Sequence, residues 1–84
     1  MVTIKQAAAA GYQYLSELLG LSPQTDVRLE EVESTSTEWL VTLSIPNRDV
    51  HLKPFRTPRE FKILAVDKES GEVTSMKIRE IQNA

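Results

Sequence analysis

The chain contains no cysteine and only one histidine among its 84 residues. The absence of cysteine removes disulfides, thiolate metal ligands and thiol nucleophiles together. It also argues against a small secreted scaffold, a class that leans on cross-links for stability. The lone histidine, His51, has no Gly-x-Ser-x-Gly elbow or comparable serine context to serve, so no nucleophilic triad is expected. One imidazole and scattered carboxylates make a sparse ligand set for zinc. No Walker loop, dinucleotide glycine pattern or EF-hand loop is present. The sequence therefore predicts no enzyme, no metal and no cofactor.

Long apolar runs are also missing. The N-terminal stretch "MVTIKQAAAAGYQYL" interleaves its apolar residues with Gln6, Gln13 and Tyr14, so it reads neither as an export signal nor as a membrane span. The expected location is cytoplasmic. The net charge of −2 argues against general attraction to nucleic acid or membrane. At this length one domain is expected, burying roughly 60–65% of the surface its unfolded chain exposes.

Residues 3–19 predict a helix. Ile4, Ala8, Gly11, Leu15, Leu18 and Leu19 recur at three-and-four spacing. Thr3 and Gln6 match a capping box, and Gly20 supplies a left-handed stop. Ala7, Ala8 and Gly11 predict close approach to whatever lies beneath. Strands are expected at about 27–33, 38–45, 60–67 and 72–80. Strand two alternates, with Trp39, Val41, Leu43 and Ile45 on one face. Strand one needs a bulge near Glu30 and Glu31 to bring Val27, Leu29 and Val32 together. Residues 46–59, "PNRDVHLKPFRTPR", hold three prolines and predict a long loop.

"FKILAVDKESGEVTSMKIRE" predicts a hairpin whose turn ends on a left-handed Gly71. Counting outward from Asp67 opposite Glu72 places Val66 against Val73 and Ala65 against Thr74. Ile63 then faces Met76, and Phe61 faces Ile78. Phe61, Ile63, Ala65, Thr74, Met76 and Ile78 form the expected core face; Leu64, Val66 and Val73 form part of the outer one.

The sum is an α+β fold, one N-terminal helix packed on a four-stranded antiparallel meander sheet. This α-β-β-β-β order resembles the cystatin-like fold, and the closing Val-Asp-x-x-x-Gly-x-Val turn is similar to that of PepSY domains. The resemblance implies a peptidase-regulating module. The chain departs from it in lacking an export signal and the cystatin Gln-x-Val-x-Gly motif, where it reads "ESTST".

Charge is unevenly spread. Residues 1–45 carry two basic and six acidic side chains, whereas residues 46–62 carry five basic and two acidic ones. The loop residues Arg48, Lys53, Arg56 and Arg59 are thus candidates for contacting an acidic partner. Leu40, Leu64, Val66 and Val73 are candidates for an apolar patch on the outer sheet face. The expected function is a small adaptor, inhibitor or immunity-type factor acting on a protein partner or as a homodimer. An alternative is a small-ligand or vestigial enzyme-like domain with a helix–sheet pocket around Tyr12, Trp39 and Met76. A third is weak nucleic-acid binding through the basic loop, for which Phe55 alone offers little stacking surface.

Overall fold

A computed structural model describes residues 1–46 and 59–79. The helix α1 spans Ile4–Leu19. At its start the Thr3 hydroxyl accepts from the Gln6 N–H, and the Gln6 side-chain carbonyl accepts from the Thr3 N–H at 2.8 Å. At its end Gly20 turns left-handed (φ 62°), and the Leu21 N–H reaches back to the Ser16 carbonyl. Both caps satisfy backbone groups that a helix end leaves without intrahelical partners.

Four strands follow, β1 (Arg28–Ser34), β2 (Glu38–Pro46), β3 (Arg59–Asp67) and β4 (Val73–Arg79). They form one antiparallel sheet in the order β1-β2-β3-β4. The meander and its single helix match the expected architecture. The loop expected at 46–59 falls almost entirely outside the described residues.

The helix packs through Ala7, Gly11 and Leu15, spaced four apart. A Cβ on Gly11 would stand 3.5 Å from a Val41 methyl group, so the helix backbone rides directly on β2. Ile4 and Leu18, expected on the packed face, are about half exposed. They sit in the first and last turns, beyond the Ala7–Leu15 row. Beneath the helix lie Val41, Leu43, Ile45, Leu64 and Val66, all buried.

Leu64 and Val66 correct the expected arrangement of the hairpin. Val41 pairs with Leu64 and Trp39 with Val66, and directly opposed residues share a face. The helix-side phase of β2 therefore places even-numbered β3 residues under the helix and turns Phe61, Ile63 and Ala65 outward. The β3–β4 register also differs by one: Leu64 faces Met76 and Ile63 faces Lys77, with an irregularity beside Ala65 that leaves Thr74 without an opposed residue. The bulge absorbs the residue that counting from the turn assigns to Ala65. Because residues 61–66 are apolar in both phases apart from Lys62, the pattern within β3 cannot choose a face.

The expected bulge in β1 is present, between Leu29 and Glu31. Val27 and Val32 pack against the core, while Leu29 remains 55% exposed at the sheet edge.

One end of the molecule is knitted together by the N-terminus. The Val2 N–H donates to the Lys68 carbonyl at 2.8 Å, and the Trp39 indole N–H donates to the Val2 carbonyl at 3.0 Å. Lys68 places its ammonium 4.8 Å above the Trp39 ring and donates to the Ser34 hydroxyl. The β3–β4 turn, the β1–β2 turn and the chain start thus share one set of bonds.

Candidate functional site

The sheet's outer face, where a docking patch was expected, has only one of its proposed apolar residues. Leu40 lies there, half-buried opposite Ala65, with Ile63 and then Phe61 farther along the same face of β3. Leu64 and Val66 are fully buried beneath the helix. Val73 pairs with Val66 and packs, half-buried, against the same core. None of these three can present an outer surface.

What occupies the outer face is largely polar. The floor is small, with Thr42, Ser44 and Ala65 buried although no described helix lies over them. Side chains from the edges lean in to cover it. Arg79 on β4 pairs with Glu31 on β1 at 3.1 Å. Thr74 donates to Glu38 at 2.6 Å. Between them is a concavity of about 220 Å³ lined by Glu31, Glu33, Leu40, Thr42, Ile63 and Arg79, smaller than the roughly 300–1,000 Å³ of small-molecule sites. A second hollow, about 360 Å³ and bounded by Leu21, Thr25, Asp26, Ile45 and Pro46, opens at the end of β2.

Arg59 is a fold residue. Its side chain is only 15% exposed and its guanidinium donates to the Ser44 hydroxyl at 2.8 Å, the Ser44 carbonyl at 2.9 Å and the Asp26 carboxylate at 3.2 Å. The Ser44 hydroxyl donates in turn to Glu30 at 2.6 Å. Position 59 opens β3 opposite Pro46, so a residue expected in the loop as a contact for an acidic partner bonds within the fold. Arg28 beside Asp26, bonded to it and adding its charge, holds that carboxyl below the ordinary aspartate value; Arg59 contributes in the same direction. Arg48, Lys53, Arg56 and His51 lie outside the described residues.

Of the three glutamates of β1, Glu31 and Glu33 line the outer-face concavity; Glu30, at the bulge, accepts from Ser44, and Glu31 accepts from Arg79. Among the described residues no three histidine, aspartate or glutamate side chains come together as a metal site. Around the expected helix–sheet pocket, Tyr12 is 44% exposed, the Trp39 indole donates to the Val2 carbonyl, and Trp39 and Met76 both pack against the core. Among the described residues no helix is long and apolar enough to cross a membrane.

The exposed apolar surface lies on the helix side, which sequence reasoning missed. Tyr14 is 38% exposed, Leu18 54% and Ile78 70%. Ile78 opposes Lys62, which opposes Leu43, and this shared face fixes Ile78 on the side the helix occupies. One helix covers the two central strands and leaves the edge strands' helix-side residues, Ile78 and Leu29, in contact with solvent. The signal was present in the sequence as one helix set against four strands.

No protein-family model, curated protein or solved structure matches the chain.

Proposed function

We propose that this chain is a protein-contact domain, an adaptor, inhibitor or immunity-type factor, rather than a catalyst. The observation that carries this reading is the group of exposed large apolar side chains on the helix side, Tyr14, Leu18 and Ile78. Tyr14 and Leu18, four apart on α1, are neighbours on the helix surface; adjoining exposed apolar residues mark contact surfaces, and a tyrosine supplies contact area at low entropic cost. The polar outer face, bridged by its own ion pair, contributes structure. The basic side chains Arg48, Lys53 and Arg56 add a second contact that selects an acidic partner.

The test is site-specific photo-crosslinking in the cells that make the protein. A benzophenone side chain at Tyr14 should give a discrete protein adduct, lost on Leu18→Lys. The same probe at Gln13, on the solvent face of the helix, should give none. Identical adduct patterns from both positions, or none from Tyr14, would sink the proposal.

A further inference from the structure

Among the described residues the four-stranded sheet has two edges without a partner strand, β1 and β4. The Lys68 N–H bonds to the Thr37 carbonyl, which makes 37 and 68 a hydrogen-bonded pair. In an antiparallel ladder such pairs alternate with non-bonded ones, so Trp39–Val66 and Val41–Leu64 are bonded as well. Odd-numbered β3 residues then turn their peptide groups toward β4, where they meet Ser75, Lys77 and Arg79. Met76 and Ile78 are left with their N–H and C=O groups pointing away from the sheet. Their side chains lie on the helix side, and that of Ile78 is 70% exposed, more than any other large apolar side chain on the described strands.

An open edge of this kind is a template for another strand. The β1 edge is broken by the bulge at Glu30 and lined with carboxylates, so pairing β1 with a second β1 brings acids together. Joining β4 to the β1 edge of another copy leaves a free edge at each end and builds an open chain instead of a closed assembly. β4 against β4 closes as well, and without bringing the β1 carboxylates together. Its register is restricted by charge, because like charges directly opposed are destabilising. A pairing centred on Lys77 opposes the two lysines, and one centred on Ile78 opposes Lys77 with Arg79. One centred on Ser75 opposes no like charges but carries each Ile78 opposite Glu72, outside the other copy's β4; centred on Met76, Lys77 meets Ser75 of the other copy and Ile78 stays within the strand. Each Ile78 then lies diagonal to the other copy's Met76, giving a row of four apolar side chains.

We propose that β4 pairs antiparallel with β4 of a second copy about a two-fold axis at Met76. The product is a continuous eight-stranded sheet with both helices on one side. This inference rests on the contact-domain reading and names one partner for it. Contacts burying less than about 1,200 Å² are weak and transient, so the dimer is expected to dissociate on dilution.

Sedimentation velocity of the full chain from micromolar to near-millimolar concentration should show a mass rising from monomer to dimer. Ile78→Lys, at a surface position, should weaken association at least about tenfold. Met76→Pro should abolish it, because that N–H points outward and the β3 ladder does not use it. The native chain has no cysteine, so Met76→Cys should cross-link two copies on oxidation while Lys77→Cys does not. A monomer at every concentration, or a dimer indifferent to both edge variants, overturns the inference. Cross-linking through Lys77→Cys in place of Met76→Cys overturns the register. A monomer that still gives a Tyr14-dependent adduct with another protein overturns the dimer and leaves the contact-domain reading standing; loss of the adduct as well removes both.

Discussion

Arg79 and Glu31 stand on opposite edges of the sheet, 48 residues apart in sequence, yet their side chains meet at 3.1 Å over the outer face. Two strands lie between them, so both side chains lean inward across Thr42 and Ile63. Both are about 40% exposed, which keeps the pair solvent-screened. A double-mutant cycle with Arg79→Ala and Glu31→Ala should return a coupling below about 1 kcal/mol. It should shrink further in molar salt. Urea unfolding of the four proteins checks both.

The turn at Gly71 carries two separable constraints. Its φ is 78°, and an added Cβ would stand 3.1 Å from a Val2 methyl group, whereas one on Gly20, at φ 62°, meets nothing within 4 Å. Gly20→Ala should therefore cost only the left-handed penalty, about 1–2 kcal/mol. Gly71→Ala should cost more. The excess should vanish when Val2→Ala is added, and thermal unfolding of the single and double variants measures it.

The facing of β3 can be tested by paired truncations of neighbours. Leu64→Ala, beneath the helix and fully buried, should destabilise by about 2–5 kcal/mol. Ile63→Ala, half-buried on the outer face, should cost clearly less. Equal losses in chemical denaturation, or the reverse order, would contradict the observed register.

Arg59, Ser44 and Glu30 form one buried-to-surface chain of bonds. Ser44→Ala should cost about 1–3 kcal/mol by leaving its partners short of a bond. Arg59→Glu sets a new carboxylate beside Asp26 and Glu30 and should lower Tm by about 5 °C or more. A wild-type melting curve for Arg59→Glu would contradict this structural role and return the residue to the acidic-partner contact expected from the sequence.

Asp67 accepts backbone N–H bonds from Ser70 and Glu69, and these bonds lower its pKa below the ordinary aspartate value. The folded chain thus binds this proton less tightly than the unfolded one. The resulting stability is present above the unfolded-state pKa and fades as pH falls through it toward the lower folded-state value. The stability difference between wild type and Asp67→Ala should be constant near neutrality and narrow below about pH 4. In an NMR titration, added salt should raise the Asp26 pKa in part, by screening the arginine charges that add to its Arg28 hydrogen bond, and leave that of Asp67, which depends on backbone bonds, nearly unchanged.

Where the information was local, the amino-acid order was sufficient. Thr3 with Gln6, and Gly20 with Leu21, bound the helix because each cap is a contact between residues a few positions apart. Gly71 marks the hairpin turn for the same reason, and the bulge at Glu30 follows from the phase break between Leu29 and Val32. Trp39, Val41, Leu43 and Ile45 declare their face because Glu38, Thr42 and Ser44 alternate with them. The tertiary structure decided the face of β3, where apolar residues fill both phases and only pairing with β2 chooses between them. It also decided the fate of Arg59, a cation whose carboxylate and hydroxyl partners arrive from Asp26 and Ser44, far away in the chain. Finally, it moved the exposed apolar surface from the sheet's outer face to its helix side, because one helix spans two strands and the sheet has four.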